Sequence, residues 1–317
     1  FLYVHTFCDA NATAPDLWND HKEELHTQLF VNTLNVLEGK HARKDPSVLK
    51  NAYTEIEVEG VPQNELIEHL DQVPERYFSH AGKEEVALHV DMVHRFAHNG
   101  NNSGKPILSW RNDVRRTLTI VDIVTRDRPA LFEKIAGGFS VAGLNILGAR
   151  AVTRKDGIAI DVFYVEGEKG GIVNDTKTRA LCESSIHDFL ENETSPDQLI
   201  KEKRKKTDNN RPFSNEDRLG ERIPPSVDVY HDVSLGRIIV EVRASDQVGL
   251  LHLIAKTISR CGFSIQFARV ATEQGIATDI FNIEKSTDGK KFSPSQFLQL
   301  REELSESLNA GKYYLEV

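Results

Sequence analysis

The feature that most constrains this chain is an internal duplication. The stretch DRPALFEKIAGGFSVAGLNILGAR begins at Asp127, and a fainter copy, DQVGLLHLIAKTISRCGFSIQFAR, begins 119 positions later at Asp246. The offset is constant through a helix pattern, a glycine and the start of a strand, and it shortens by one residue only at a turn. Chance similarity would not place its only gap at a turn, so the chain contains two copies of one small domain.

Each copy alternates between strand and helix patterns. RTLTIVDIV predicts a strand, after which Leu131, Ile135 and Phe139 share one face of a helix. Gly143 suits the end of that helix, and LNILGARAV and GIAIDVFYV predict two strands joined by the turn TRKDG. TKTRALCESSIHDFL predicts a second helix. With an expected fourth strand at the end, the order is the ferredoxin-like βαββαβ plan, so the sequence predicts an α+β fold.

The residues before the duplication have helical periodicity. They predict one helix over about 13–37 and a second helical stretch over about 61–98 that is interrupted at PERYF. AHNGNNSGKP predicts a loop, and the charged stretch IKEKRKKTDNNRPFSNED predicts a linker. The predicted organisation is a helical segment over 1–104, a first domain over 105–195, a linker over 196–232 and a second domain over 233–317.

Composition excludes several classes of protein. The net charge of −9 does not suit a chain that coats nucleic acid or an anionic membrane. No apolar run approaches the roughly 20 residues that span a bilayer. Three scattered cysteines, Cys8, Cys182 and Cys261, suit a reducing compartment, so we expect a cytoplasmic protein. The chain opens at Phe1 inside the apolar stretch FLYVHTF, which favours a piece of a longer protein over a processed terminus.

The duplicated unit has no pattern that indicates catalysis. Neither copy has a nucleophile and a base at matched spacing, a P-loop or a dinucleotide fingerprint. Gly137 and Gly138 lie within a helix pattern rather than in a phosphate-binding loop. Asp161 and Asp279 occupy equivalent strand positions, and we expect both to be exposed rather than paired as catalytic acids.

Binding of a small anion fits the unit better. Asp127 and Asp246 each lie where a strand passes into a helix, and the first amides of that helix suit an amino acid carboxylate. Asn145 can hydrogen-bond an α-amino or amide group. Two simpler roles stay open: the aspartates as helix N-caps alone, which the pattern favours, and Asn145 as a residue that only ties down a turn.

The first copy, TRDRPALFEKIAGGFSVAGLNILGARAVTRKDGIAIDVFYV, resembles an ACT domain, a small regulatory fold that binds amino acids at domain or subunit interfaces. It is similar in particular to the family of bifunctional PII uridylyltransferase/uridylyl-removing enzymes. HTFCDANATAPDLWNDHKEELHTQLF resembles the end of that family's HD phosphohydrolase domain, and VPERYFSHAGKEEVALHV resembles its connecting helices. The resemblance implies a bacterial enzyme that uridylylates the PII protein when glutamine is scarce and removes the groups when glutamine binds its ACT region.

The resemblance also implies which residues bind the amino acid. They are Asp127, Arg128, Ala130, Leu131, Asn145 and Ile146 in the first copy and Asp246, Gly249, Leu250 and Ser264 in the second. Ala130 stands where the family usually has glycine, which would weaken binding or change the ligand. In the second copy Ser264 stands for the asparagine, and Gln247 and Val248 replace an Arg-Pro pair. Binding by the second copy is therefore the weaker expectation.

No catalytic residue is expected in this chain, because the family's nucleotidyltransferase motifs match nothing in it. Asp9 matches the last metal-binding aspartate of the HD domain, where it would help to hold Mg²⁺ or Mn²⁺ in the intact parent. The alternative is an ordinary polar residue at a helix end. The dipeptides at His187-Asp188 and His231-Asp232 carry little weight as metal ligands.

The implied partners are L-glutamine and, for the intact parent, the PII protein, with a homodimer through the ACT domains as an option. Neither a membrane nor nucleic acid is expected. Two other functions stay open. One is a non-catalytic ACT-repeat module for amino acid binding or self-association, because exposed sheet edges pair readily. The other is an ACT-regulated enzyme of amino acid or alarmone metabolism.

Overall fold

The structure, a computed structural model, describes residues 2–13, 29–30, 33–34, 46–98, 104–192, 194–210, 223–232, 237–273, 275–285 and 294–313. A helical segment comes first, with α1 (Leu2–Thr13), α2 (Pro46–Tyr53), α3 (Gln63–Gln72), a 3₁₀ turn (Glu75–Ser79) and α4 (Lys83–His98). The predicted interruption at PERYF is confirmed, whereas the helix predicted over 13–37 lies largely outside the described residues. No helix in the described ranges is long and apolar enough to cross a bilayer.

The duplication forms two units with the same order of elements. The first consists of β1 (Ile107–Asp113), β2 (Leu118–Arg126), α5 (Leu131–Ala142), β3 (Asn145–Thr153), β4 (Ile158–Glu166) and α6 (Thr176–Glu191). Helix α7 (Asp197–Asn210) follows. The second consists of β5 (Ser226–Asp232), β6 (Arg237–Ser245), α8 (Leu250–Arg260), β7 (Phe263–Glu273), β8 (Ile276–Lys285) and α9 (Pro294–Tyr313). The predicted α+β class is confirmed.

The fourth strand of each unit comes first rather than last. β1 and β5 each pair antiparallel with the strand that follows them. β5 lies within the predicted linker, as does α7, whose Ile200 is buried at the turn before α8. Both elements have weak apolar patterns: SVDVYHD buries one side chain, and among the described side chains of α7 only that of Ile200 is buried.

The two units share one antiparallel sheet. Its strand order is β1-β2-β4-β3-β7-β8-β6-β5, so the second unit continues the first in mirrored order. The units join where β3 pairs with β7 through Gly148–Arg269, Ala149–Ala268 and Arg150–Phe267. The two copies are thus held together by backbone hydrogen bonds as well as by a common apolar core.

The two faces of the sheet are covered differently. Helices α5, α6, α8 and α9 pack on one face, where the predicted stripe of Leu131, Ile135 and Phe139 is buried, as expected. The helical segment covers the other face of the first unit through a second apolar cluster that includes Val124 and Ile160. β2 is therefore buried almost throughout, whereas β6 alternates between buried and open positions.

Candidate ligand-binding site

A cavity of about 180 Å³ lies where the helical segment reaches the junction of the two units. All three parts of the molecule contribute charged or ionisable side chains to its wall: Arg76, His80 and Glu85 from the helical segment, Arg150 from the first unit, and Arg237 and Glu284 from the second. A molecule that filled the cavity would contact all three parts.

Arg76 ties the helical segment to the second unit. Its Nη1 donates to Glu284 Oε1 at 2.7 Å, and its Nη2 donates to Gln266 Oε1. Gln266 lies in a bulge of β7, at the register shift between Ile265 and Phe267. Bulges redirect side chains, and this one brings the Gln266 carboxamide to Arg76.

Arg150 ties the helical segment to the first unit. Its Nη2 donates to Glu85 Oε1 on α4, and its guanidinium lies 5.7 Å from the centroid of the Tyr164 ring. The Arg150–Glu85 and Arg76–Glu284 pairs therefore frame the cavity, and each joins a different unit to the helical segment.

Hydrogen-bond donors in this wall are not all used. Nε of Arg76 and Nε of Arg150 are buried, and neither has a partner within the described part of the chain. The side chain of Arg237 makes no hydrogen bond or ion pair to a described residue. A buried donor without a partner costs about 1–3 kcal/mol, so such groups usually meet water, an ion or a ligand.

The wall carries an excess of positive charge. The guanidinium groups of Arg76, Arg150 and Arg237 face two carboxylates, Glu85 and Glu284. The wall also contains His80, whose pKa is lowered by partial burial and then by Arg150 and Arg237, so its imidazole is neutral near pH 7. This arrangement suits a small molecule with a carboxylate, and the two glutamates offer acceptors for an ammonium group.

Two other residues of the wall, Tyr77 and His89, belong to a buried hydrogen-bonded relay. Arg154 Nη1 lies 3.2 Å from His69 Nδ1, and His69 Nε2 lies 3.3 Å from Tyr77 Oη. Tyr77 Oη lies 2.9 Å from His89 Nδ1, and His89 Nε2 lies 3.1 Å from Asp122 Oδ1 on β2. The relay fastens α3, the 3₁₀ turn and α4 to the first unit.

One order of protons satisfies the whole relay. Arg154 can only donate, so His69 Nδ1 accepts and His69 Nε2 donates to the Tyr77 oxygen. The Tyr77 hydroxyl then donates to His89 Nδ1, and His89 Nε2 donates to Asp122. Burial lowers the pKa of His69 well below its usual range, and the charge of Arg154 lowers it further, which keeps His69 neutral as this order requires.

The relay ends on a carboxylate with two donors. Arg111 donates to Asp122 through Nε at 2.8 Å and Nη2 at 2.9 Å. Burial alone would raise the pKa of Asp122, but the hydrogen bonds from His89 and Arg111 outweigh burial and lower it. Asp122 is therefore ionised at neutral pH.

The predicted residues at the start of α5 do not line this cavity. The N-cap of α5 is Ala130, with φ of 61°, and no side chain of a described residue caps the helix. The prediction that Asp127 is the N-cap was therefore wrong, and the Asp127 carboxylate instead accepts from Thr153 Oγ1 at 3.3 Å. Arg128 donates through Nη1 to the Leu190 carbonyl oxygen at 2.6 Å.

The equivalent turn of the second unit is covered by α7. Its N-cap is Gly249, with φ of 80°, so Asp246 is not a helix cap either. A Cβ atom on Gly249 would lie 2.5 Å from Cγ2 of Ile200, and Arg204 Nε donates to the Val248 carbonyl oxygen at 2.8 Å. These contacts leave less room for a ligand here than at the start of α5.

The other predicted binding residues have mixed surroundings. Leu131, Ile146 and Leu250 are buried in the apolar core. Asn145 is exposed, and its Nδ2 lies 3.4 Å from a carboxylate oxygen and 3.4 Å from a carbonyl oxygen at the end of β4. Ser264 is half-buried near the start of β7. Binding of an amino acid by these residues stays a prediction.

The expectation that Asp161 and Asp279 are exposed was wrong. Their side chains lie on the face that packs against the helices, and the residues are 3% and 1% exposed. Burial raises the pKa of Asp161 to about 8, with a further contribution from the Asp127 carboxylate. Burial and Asp246 likewise raise the pKa of Asp279 to about 7. Asp161 is therefore influenced by Asp127 of its own unit and Asp279 by Asp246 of its own unit, rather than the two units' aspartates by each other.

The residues considered as metal ligands are spread over the fold. Asp9 is exposed on α1, and no group of three potential ligands among the described residues includes it. A divalent ion needs several oxygen or nitrogen ligands, so the described residues do not form a site around Asp9. His187 lies on α6 and His231 on β5.

The cavity was missed by the sequence analysis because its residues share no local pattern. Arg76 lies in the PERYF interruption, Arg150 in β3 and Arg237 at the start of β6, far apart along the chain. PERYF was the available signal, because it places an arginine and a tyrosine in a short break between two amphipathic helices.

No family model matches this chain. It is 28% identical over 302 residues to a bifunctional uridylyltransferase/uridylyl-removing enzyme of Phenylobacterium zucineum, covering 93% of this chain and 30% of that protein. Enzymes of the same name from Gluconobacter oxydans and Vibrio campbellii are 26% and 25% identical, covering 98% of this chain and 32% and 34% of theirs. The chain is similar to bifunctional uridylyltransferase/uridylyl-removing enzymes along nearly its whole length.

The predicted resemblance is thereby confirmed. The chain spans about a third of the length of these uridylyltransferase/uridylyl-removing relatives. A solved structure, that of an unknown protein from Galdieria sulphuraria, is 11% identical and covers 60% of this chain and 91% of its own, with a TM-score of 0.19. That score is too low to support any statement about the fold.

Proposed function

We propose that this chain is a regulatory region of an enzyme that uridylylates and deuridylylates the PII protein, and that it senses glutamine. The similarity to enzymes of that name over nearly the whole chain supports the first part of the proposal. The second part rests on the cavity between the helical segment and the two units, where Nε of Arg76 and Nε of Arg150 have no partner among the described residues.

A ligand in this cavity can act by linkage. Its carboxylate would accept hydrogen bonds from the arginines, and its ammonium would donate to Glu85 or Glu284. A ligand that contacts all three parts stabilises the arrangement in which they meet, and it shifts the population toward that arrangement. Catalytic domains attached to the helical segment would then respond to a change in how that segment sits on the sheet.

Calorimetric titration of the chain with L-glutamine tests this proposal, with L-glutamate and L-asparagine as controls. Arg237→Ala should weaken glutamine binding about tenfold or more, because it removes one charge-assisted hydrogen bond. It should leave the fold intact, since the Arg237 side chain makes no hydrogen bond or ion pair to a described residue. Arg243→Ala removes an exposed arginine from the same strand outside the cavity and is the matched control.

The outcomes distinguish where glutamine binds from whether this chain senses glutamine at all. Glutamine binding that is unchanged in Arg237→Ala but lost in Asn145→Ala would place the ligand near Asn145, at the start of β3, and keep the sensing role. A folded chain that gives no heat with glutamine would contradict sensing by this chain. In the parent enzyme, Arg237→Ala should make the removal of uridylyl groups from PII less sensitive to glutamine.

Self-association is the second candidate function. β1 and β5 are the edge strands of the eight-stranded sheet, and edge strands pair readily with other chains. Sedimentation with and without glutamine distinguishes the two functions. A dimer that forms equally in both conditions, together with no binding heat, would favour the self-association module.

A further inference from the structure

A second group of polar side chains lies outside the cavity, at the start of β1. Glu65 on α3 approaches His94 and His98 on α4, beside an open cleft of about 540 Å³ whose wall also includes Lys105 and His187. Nothing in the proposed sensing function uses these residues.

The three side chains have the spacing of metal ligands. His94 and His98 are four residues apart on one face of α4, with their ring centroids 4.3 Å apart. Glu65 Oε2 lies 2.7 Å from His94 Nδ1, and Glu65 Oε1 lies 3.9 Å from His98 Nε2. One ligand atom from each residue falls within 4.8 Å of the other two.

The backbone orients the exposed histidine. His98 Nδ1 donates to the His94 carbonyl oxygen at 2.9 Å, so its proton is fixed on Nδ1 and the lone pair of Nε2 is free on the side of Glu65. Histidines that bind metals commonly donate their other ring N–H to a carbonyl or carboxylate in this way.

We propose that Glu65, His94 and His98 bind one divalent cation of the zinc class. Two imidazole nitrogens and one carboxylate oxygen suit Zn²⁺, Co²⁺ or Ni²⁺ better than Mg²⁺ or Ca²⁺, which prefer oxygen ligands. Water from the open cleft supplies the fourth ligand, as in three-residue zinc sites. Binding requires His94 to carry its proton on Nε2, so the ion replaces the hydrogen bond between Glu65 and His94 Nδ1.

The ion would clamp α3 to α4, two helices that cover the outer face of the first unit. Two cations work against binding: Lys105 lines the cleft, and so does Arg95, which pairs with Asp91 at 3.0 Å.

The test is titration of the untagged chain with ZnCl₂ in chelator-free buffer, followed by competition with a chromogenic chelator. One equivalent should bind, and Co²⁺ should give the visible absorption bands of a low-coordinate site. His98→Ala and Glu65→Gln should each weaken Zn²⁺ binding about tenfold or more. Both variants should stay folded by circular dichroism, because His98 is exposed and Gln has the shape of Glu.

His231→Ala, which removes an exposed histidine on β5, should leave Zn²⁺ affinity unchanged. Failure of the folded chain to compete with the chelator for Zn²⁺ would overturn the proposal. Binding of equal affinity in His98→Ala and Glu65→Gln would also overturn it, because the ion would then lie elsewhere, for example at Glu85, His89 and Asp122.

Discussion

The hydroxyl oxygen of Tyr77 lies 2.9 Å from Nδ1 of His89, and both side chains are buried between the helical segment and the sheet. The same hydroxyl lies 3.3 Å from Nε2 of His69. A phenol oxygen can accept one hydrogen bond, here from His69 Nε2, while its hydroxyl donates another, here to His89 Nδ1. Tyr77 therefore completes a relay that joins a mostly helical region to a strand of the first unit.

Tyr77→Phe should lower the free energy of unfolding by about 2 kcal/mol. The substitution keeps the ring but leaves His69 Nε2 and His89 Nδ1 buried without a partner, and each unsatisfied group is costly. Urea unfolding followed by circular dichroism measures the loss. Tyr230→Phe is the control, because that hydroxyl donates to Glu241 at an exposed position. Equal effects of the two substitutions would contradict the role assigned to the relay.

Ala130→Gly should raise the free energy of unfolding by about 0.5–1 kcal/mol. Ala130 has φ of 61°, a left-handed conformation that is strained for a residue with a Cβ atom. Glycine would remove this strain but would add entropy to the unfolded chain, and we expect the free energy gained from the first effect to exceed that lost to the second. Thermal and urea unfolding of the variant provide the measurement.

The reverse change at the equivalent position supplies the comparison. Gly249→Ala should destabilise the chain by about 2 kcal/mol or more, because it combines a left-handed backbone with a Cβ atom 2.5 Å from Cγ2 of Ile200. A neutral Gly249→Ala would show that α7 does not pack on this turn.

The repeated elements of the fold could be predicted from the sequence because they follow local rules. The helix stripe of Leu131, Ile135 and Phe139, the left-handed glycine at Gly143 and the turn at Gly157 all lie where periodicity and glycine placed them. The first strand of each unit could not be predicted in this way, because an edge strand needs only one buried face and its pattern is weak.

Neither the burial of Asp161 nor the position of the cavity could be predicted from the sequence, because both depend on parts of the chain that are distant in sequence. Asp161 has the alternation of an ordinary strand, and its burial follows from the helix that packs above it. The cavity forms where the helical segment, which packs on the first unit, reaches the junction of the two units. Only this packing brings together Arg76, Arg150 and Arg237. No local sequence pattern predicts that these three arginines lie close together.

Gly138→Ala should destabilise the chain by about 1–3 kcal/mol, although alanine favours a helix. The added Cβ atom would lie 2.4 Å from Cγ1 of Ile186 on α6, and such overpacking exceeds the gain of about 1 kcal/mol in helix propensity. Ile186→Ala removes that atom, so the double variant should be more stable than the sum of the single effects predicts. Additive effects in urea unfolding would show that α5 and α6 do not approach this closely.

Asp161→Asn should stabilise the chain more at pH 8.5 than at pH 5.5. The folded-state pKa of about 8 for Asp161 lies above the usual value of about 4, so between these pH values the folded chain binds one more proton than the unfolded chain. The free energy of unfolding therefore falls as pH rises from about 4 to about 8, and that loss is complete above the folded-state pKa. Asparagine has no charge to bury, so it escapes a loss of several kcal/mol.

The same prediction can be tested at Asp279, the residue of the second unit that is equivalent to Asp161. Asp279 has a raised pKa of about 7, so Asp279→Asn should reach its full stabilisation about one pH unit lower than Asp161→Asn. Asp228→Asn, at an exposed position on β5, controls for the general effect of removing a negative charge from an acidic chain. Urea unfolding of the three variants across this pH range checks the order. If Asp161→Asn stabilises the chain equally at pH 5.5 and 8.5, the carboxyl group is already ionised in the folded protein at pH 5.5, and its burial does not hold the proton.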